Sequence, residues 1–135
     1  MRKVTLFLLV VFCLGLVGCS KDAEVQAFIT ELDTTTNEMV SKIDANPNSA
    51  GIDEAQKAFE AKKDSLKTKF DAFKDARGVQ VSADMQKKLV DSATANGKSL
   101  SDVMTKNMSK ISQDKDAMPK FQKLMKDYAD TFKMQ

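Results

Sequence analysis

Residues 25–43, VQAFITELDTTTNEMVSKI, set the fold class, because Val25, Phe28, Ile29, Leu32, Thr36, Met39, Val40 and Ile43 recur at steps of three and four. That spacing lays the apolar groups along one stripe of an α-helix. Asp22 and Glu24 fall in the first turn, where carboxylates complement the exposed N–H groups, and Asn46-Pro47-Asn48 stops the segment.

Three further stripes follow. Ile52, Ala55, Phe59, Leu66, Phe70 and Phe73 mark a second helix, started by Ser49 or Asp53 as a cap and ended near Arg77-Gly78. The lysines and acids between these residues, Asp53 and Lys57 among them, read as a solvated face. Ser82 suits the N-cap of a third helix whose stripe is Met85, Leu89, Ala93, Leu100, Met104, Met108 and Ile111. Asn96-Gly97 is a turn signal inside it, with Ser99 and Asp102 able to cap a new start, but the stripe keeps phase across the gap and one helix is expected. Met118, Phe121, Met125, Tyr128 and Phe132 form the fourth, which begins after Asp114 or Asp116 and tolerates Pro119 in its first turn. No segment alternates with period two over the length of a strand. Short connections between amphipathic helices predict an all-α chain, an antiparallel up-down four-helix bundle. A single long helix, resembling the major murein lipoprotein, is opposed by Pro47, Gly51 and Gly78.

Ahead of this body lie basic Arg2-Lys3, an apolar run from Val4 to Val17, and Leu16-Val17-Gly18-Cys19 followed by polar Ser20-Lys21-Asp22. The run is shorter than the ~20 apolar residues a membrane span needs, so it reads as a cleaved export signal. Leu16-Val17-Gly18-Cys19 resembles the lipobox of bacterial lipoproteins. The resemblance covers about the first twenty residues and implies cleavage before Cys19, a diacylglycerol on its sulfur and usually a third acyl chain on its amine. It also implies, through Ser20 in place of Asp, the outer membrane facing the periplasm where the source is Gram-negative. The expected organisation is a signal peptide at 1–18, an acylated N-terminus and tether at 19–21, and a helical domain at 22–135. An ordinary secretory signal cleaved near Gly18 is the rival reading. Cys13 leaves with the leader, so the mature chain holds no second thiol for an internal disulfide.

Removal of the 18-residue leader leaves 117 of 135 residues, enough for one domain, and takes two of the 21 basic side chains, balancing 19 bases against 19 acids. Neutrality gives no reason to bind nucleic acid. The charge is uneven: residues 20–46 hold two lysines and six acids, whereas residues 98–135 hold eight lysines and five acids. In an up-down bundle this asymmetry steers the first helix towards the last. A basic C-terminal face for anionic headgroups or cell-wall polymers is the functional alternative.

Enzymatic readings lack material. The chain has no histidine, the processed form has no free thiol, and there is no glycine-rich phosphate loop, so neither an enzyme nor a cofactor is expected. Met104 and Met108, four apart, with Met85, Met118 and Met125 on neighbouring stripes, are soft ligands suited to Cu(I), but without His or Cys beside them they read as core filler. Polar interruptions fall near three helix midpoints, at Thr35-Thr36, Lys62-Lys63 and Asn96-Gly97. Thr36, Asn96 and Tyr128 are therefore candidates for one polar layer, with Gly97 leaving room for water or a ligand group. Such a layer fixes helix register, in which case Asn96→Leu raises stability, or it borders a pocket. The function expected is that of a non-enzymatic, lipid-anchored envelope lipoprotein, a structural or protein-interaction module whose partners are the membrane and another envelope protein. The alternative is a binding protein that takes a small ligand or a soft metal in the bundle core.

Overall fold

The computed structural model describes residues 20–76 and 80–132. The leader with Cys19, the segment containing Arg77-Gly78, and Lys133 to Gln135 lie outside the described residues. Four helices follow one another: α1 Asp22–Ala45, α2 Ser49–Asp71, α3 Ala83–Ile111 and α4 Ala117–Thr131. The described residues contain no strand, and none of the described helices is long and apolar enough to cross a membrane.

Helix α1 buries the stripe its sequence spells, Val25, Phe28, Ile29, Leu32, Thr36, Met39 and Ile43, and adds Thr35. Its stop at Asn46-Pro47-Asn48 hands the chain to α2 through a cap that differs from either expected one. Asn48, in extended backbone, accepts from the amides of Ala50 at 3.0 Å and Gly51 at 3.1 Å. Ser49 is already inside the helix and its amide donates to Asp114 Oδ2 at 2.7 Å, while Asp53 is ion-paired with Lys120. The three-residue turn leaves Asn48 as the residue half inside the helix, the position from which a side chain reaches the first free N–H groups.

Helix α2 ends at Asp71, earlier than the expected stop at Arg77-Gly78, and the chain turns over residues 72–75. That turn sets Phe73 edge-on to Phe28 and Phe70, with ring centroids 5.3 and 5.5 Å apart. Ser82 caps α3 as its sequence predicts, accepting from the Met85 amide at 3.2 Å.

The predicted stripe of α3 is corrected in its middle and second half. Ala93 is exposed and Met108 is 43% exposed, while Val103 and Asn107 are buried. A step of four advances 400° around a helix of 100° per residue, so successive steps of four walk about 40° each out of the interface. The observed pattern restores phase with steps of three, from Leu100 to Val103 and from Met104 to Asn107. In α4 the buried line is likewise Ala117, Phe121, Leu124 and Thr131, with Met118, Met125, Tyr128 and Phe132 half-buried alongside it. Asp116 precedes this helix without capping it; Asp114 instead accepts from the Asp116 amide at 3.0 Å and ties the α3–α4 connection to the start of α2.

Helix α1 packs chiefly on α2 and α3, and α2 on α4. Ion pairs across helices follow the same map: Glu31 with Lys69, Lys42 with Glu54, Asp44 with Lys106, and Asp53 with Lys120. The acids of α1 thus meet lysines of α2 and α3, not of α4. Exposed pairs of this kind contribute at most about 1 kcal/mol each, so they select neighbours more than they hold them.

Helix α3 runs unbroken through Asn96-Gly97. A Cβ at Gly97 would meet nothing within 4 Å. Gly97→Ala is therefore expected to stabilise the fold by about 0.5–1 kcal/mol through backbone entropy alone, a rise of a few degrees in melting temperature by circular dichroism.

Candidate functional site

The polar residues near the helix midpoints form two sets of hydrogen bonds, one to α4 and one to α3. Thr36, fully buried, shares a hydrogen bond of 3.2 Å with the Tyr128 hydroxyl of α4. The Tyr128 ring lies 5.5 Å from Phe59 and 5.4 Å from Phe132, and burial pushes its phenol above the ordinary value while the bond to Thr36 opposes the shift.

Asn96 belongs to the other set. Its Nδ2 donates to Asp33 Oδ1 at 2.6 Å, to the Ser92 carbonyl at 2.9 Å and to Ser92 Oγ at 3.1 Å, and Ser92 Oγ itself donates to Asp33 Oδ1 at 2.6 Å. Of the residues expected in one layer, Thr36 and Tyr128 bond to each other, while Asn96 bonds to Asp33 and Ser92. Gly97 does not border either; it faces open space. Of the two lysines at the same height, Lys62 is exposed and Lys63 half-buried.

The network at Asn96 is one rung of a ladder that stripe analysis overlooks. Asp22 Oδ1 accepts from the Ser82 amide at 2.8 Å, Asp33 from Asn96, and Asp44 from Asn107 Nδ2 at 3.0 Å and Lys106 Nζ at 2.8 Å. The three aspartates stand 11 residues apart on α1, and Asn96 and Asn107 stand 11 apart on α3. Eleven residues make three turns at 3.67 per turn, close to the helix's own 3.6, so a ladder with this interval stays on one seam of two nearly straight helices. Each asparagine also donates back to the carbonyl four residues earlier, Ser92 and Val103. Only the residue interval signals this in the sequence, because polar residues are invisible to an apolar pattern.

Hydrogen bonds to the ladder partners hold the Asp22 and Asp44 carboxyls below the usual carboxylate range, Asp22 through Ser82 and Asp44 first through Lys106 and then Asn107. Both groups therefore favour the fold above their ordinary pKa of 3.8, and that contribution is lost as pH falls below it. Asn96→Leu, which an apolar-filling argument expects to stabilise, is instead expected to destabilise by about 1–2 kcal/mol in chemical denaturation, because Asp33 loses a donor it was folded around. Equal or greater stability of that variant would show the ladder to be dispensable.

Two buried side-chain atoms, Thr35 Oγ1 and Gln56 Oε1, lack a hydrogen-bond partner among the described residues. Met104 is buried and Met108 43% exposed, and Met85, Met118 and Met125 are half-buried against the core. What the arrangement supplies chemically is register: Asp22, Asp33 and Asp44 each accept a hydrogen bond from α3 or its N-cap. Comparison with family models, curated proteins and solved structures finds no match to this chain.

Proposed function

We propose that the chain is a non-enzymatic lipoprotein of the cell envelope, held to a leaflet by acyl groups on Cys19, whose helical body is a structural or protein-interaction module. The observation that carries this reading is Leu16-Val17-Gly18-Cys19 at the end of an apolar run that begins after Arg2-Lys3. One acyl chain holds a protein reversibly, whereas two or three make a stable anchor. The first turn of α1 begins at Asp22, so two residues separate the proposed anchor from the helical body. A tether of that length keeps the body against the headgroups.

The body is read as an up-down bundle. Contacts between α1 and α2 support opposite directions, since Glu31 meets Ser65 and Lys69 while Lys42 meets Glu54. The aspartate ladder supports a common direction for α1 and α3. Cleavage before Cys19 and, where the source is Gram-negative, an outer-membrane address suggested by Ser20 complete the reading. The charged outer faces are then the surfaces on offer to other envelope proteins.

Crosslinking in intact cells followed by pull-down tests the module reading: discrete, reproducible heterologous products are expected. Native mass spectrometry with metal analysis tests the competing reading. A reproducible noncovalent mass or stoichiometric copper on the purified protein would overturn the preference for a module.

A further inference from the structure

One end of the helical body carries the entry of the chain and an apolar cleft side by side. The Lys21 amide donates to the Gln80 carbonyl at 2.6 Å, and Asp22 receives the Ser82 amide, so the start of α1 is fastened to the start of α3. Next to this fastening, a cleft of about 350 Å³ opens between the end of α2 and the start of α3. Val25, Phe70, Phe73, Val81, Leu89 and Val90 supply its apolar lining, with Lys74 and Gln86 as its polar members. Val90, 63% exposed, leaves the rim of this apolar cleft open to solvent. The cleft lies at the small end of the 300–1,000 Å³ range of ligand sites, which suits one slender apolar chain.

Cys19 stands two residues before Lys21 in the chain, a backbone span of at most about 7 Å from the fastening. A hydrocarbon attached there starts near the end of the body that carries the cleft. We propose that the cleft between α2 and α3 receives one acyl chain of the lipid on Cys19. This inference rests on the reading of Cys19 as acylated. Transfer of one chain from leaflet to cleft exchanges one apolar surrounding for another, and two remaining chains still suffice as an anchor. Out of the membrane the cleft shields a chain that water would otherwise surround.

The test is metabolic labelling of the full-length chain with a fatty acid that bears a diazirine, then irradiation in cells and peptide mapping. Intramolecular crosslinks are expected at residues 70–76 and 81–90. Val90→Glu, placed on the exposed rim where folding tolerates it, is expected to reduce those crosslinks several-fold while the label on the protein is unchanged. Labelled protein crosslinked to lipid alone, or evenly over its surface, overturns the cleft as the receiving site. Protein that takes up no label at all overturns the acylation reading beneath it, a different and separately visible failure.

Discussion

Gly51→Ala is expected to cost about 3 kcal/mol and to lower the melting temperature by about 10 °C, the opposite sign to the same substitution at Gly97. A Cβ at Gly51 would lie 1.8 Å from the carbonyl oxygen of Asn46, 2.8 Å from its carbonyl carbon and 3.0 Å from its Cβ. These are mostly backbone atoms of the α1–α2 turn, and they have nowhere to go. Asn46 closes α1 by donating to the Lys42 carbonyl, and its own carbonyl accepts from Asn48 at 2.8 Å. Asn48 in turn caps α2 through the amide of Gly51 itself. A methyl group therefore pushes apart a closed circuit in which the end of one helix and the start of the next share three residues. Thermal melts of the two glycine variants side by side check the contrast, since helix propensity alone predicts that both gain stability. Stabilisation at Gly51 would show that the turn is looser than its geometry.

Phe28→Ala is expected to cost about 3–5 kcal/mol, the range for deleting a buried aromatic ring. Phe28 is 3% exposed, and its ring meets Phe70 at 5.7 Å, Phe73 at 5.3 Å and Phe132 at 5.5 Å. Phe70 and Phe73 come from the end of α2 and the turn after it, and Phe132 from the end of α4. One ring on α1 thus joins the ends of two other helices, and most of these contacts are tilted or edge-on, the arrangement that aromatic quadrupoles favour. Loss of the ring leaves a cavity whose other walls are themselves rings, which do not collapse into the gap. Denaturation with urea measures the effect. Phe28→Leu is expected to recover more than half of it, whereas equal losses for Leu and Ala would point to a requirement for the aromatic contact itself.

The existence and class of the four helices are legible from the apolar stripes because burial of one face is what makes a helix of this length stable. Ser82 is legible for the same local reason, since its hydroxyl serves amides three residues away. What escapes is whatever depends on neighbours distant in sequence. Asn48 in place of Ser49 as cap follows from how tightly the turn folds. The early end of α2 accompanies the placement of Phe73 against Phe28. Asn96 sits at a polar interruption of its own stripe, yet its partner Asp33 lies 63 positions away and outside the apolar stripe of α1. Thr36 and Tyr128 do meet, but the hydrogen bonds of Asn96 go instead to Asp33 and Ser92. A regular interval of aspartates on one helix and asparagines on another was the available clue, and it is one that hydropathy does not weigh.

The ladder and the ring cluster explain how the body is held, while the proposed envelope address rests on the sulfur of Cys19. Intact mass measurement of the N-terminal peptide, from protein extracted out of membranes with detergent, addresses that directly. The account predicts a peptide that begins at Cys19 and carries a diacylglycerol, with or without an additional amide-linked acyl chain. A peptide that begins at any other residue, or at Cys19 with an unmodified thiol, would contradict it.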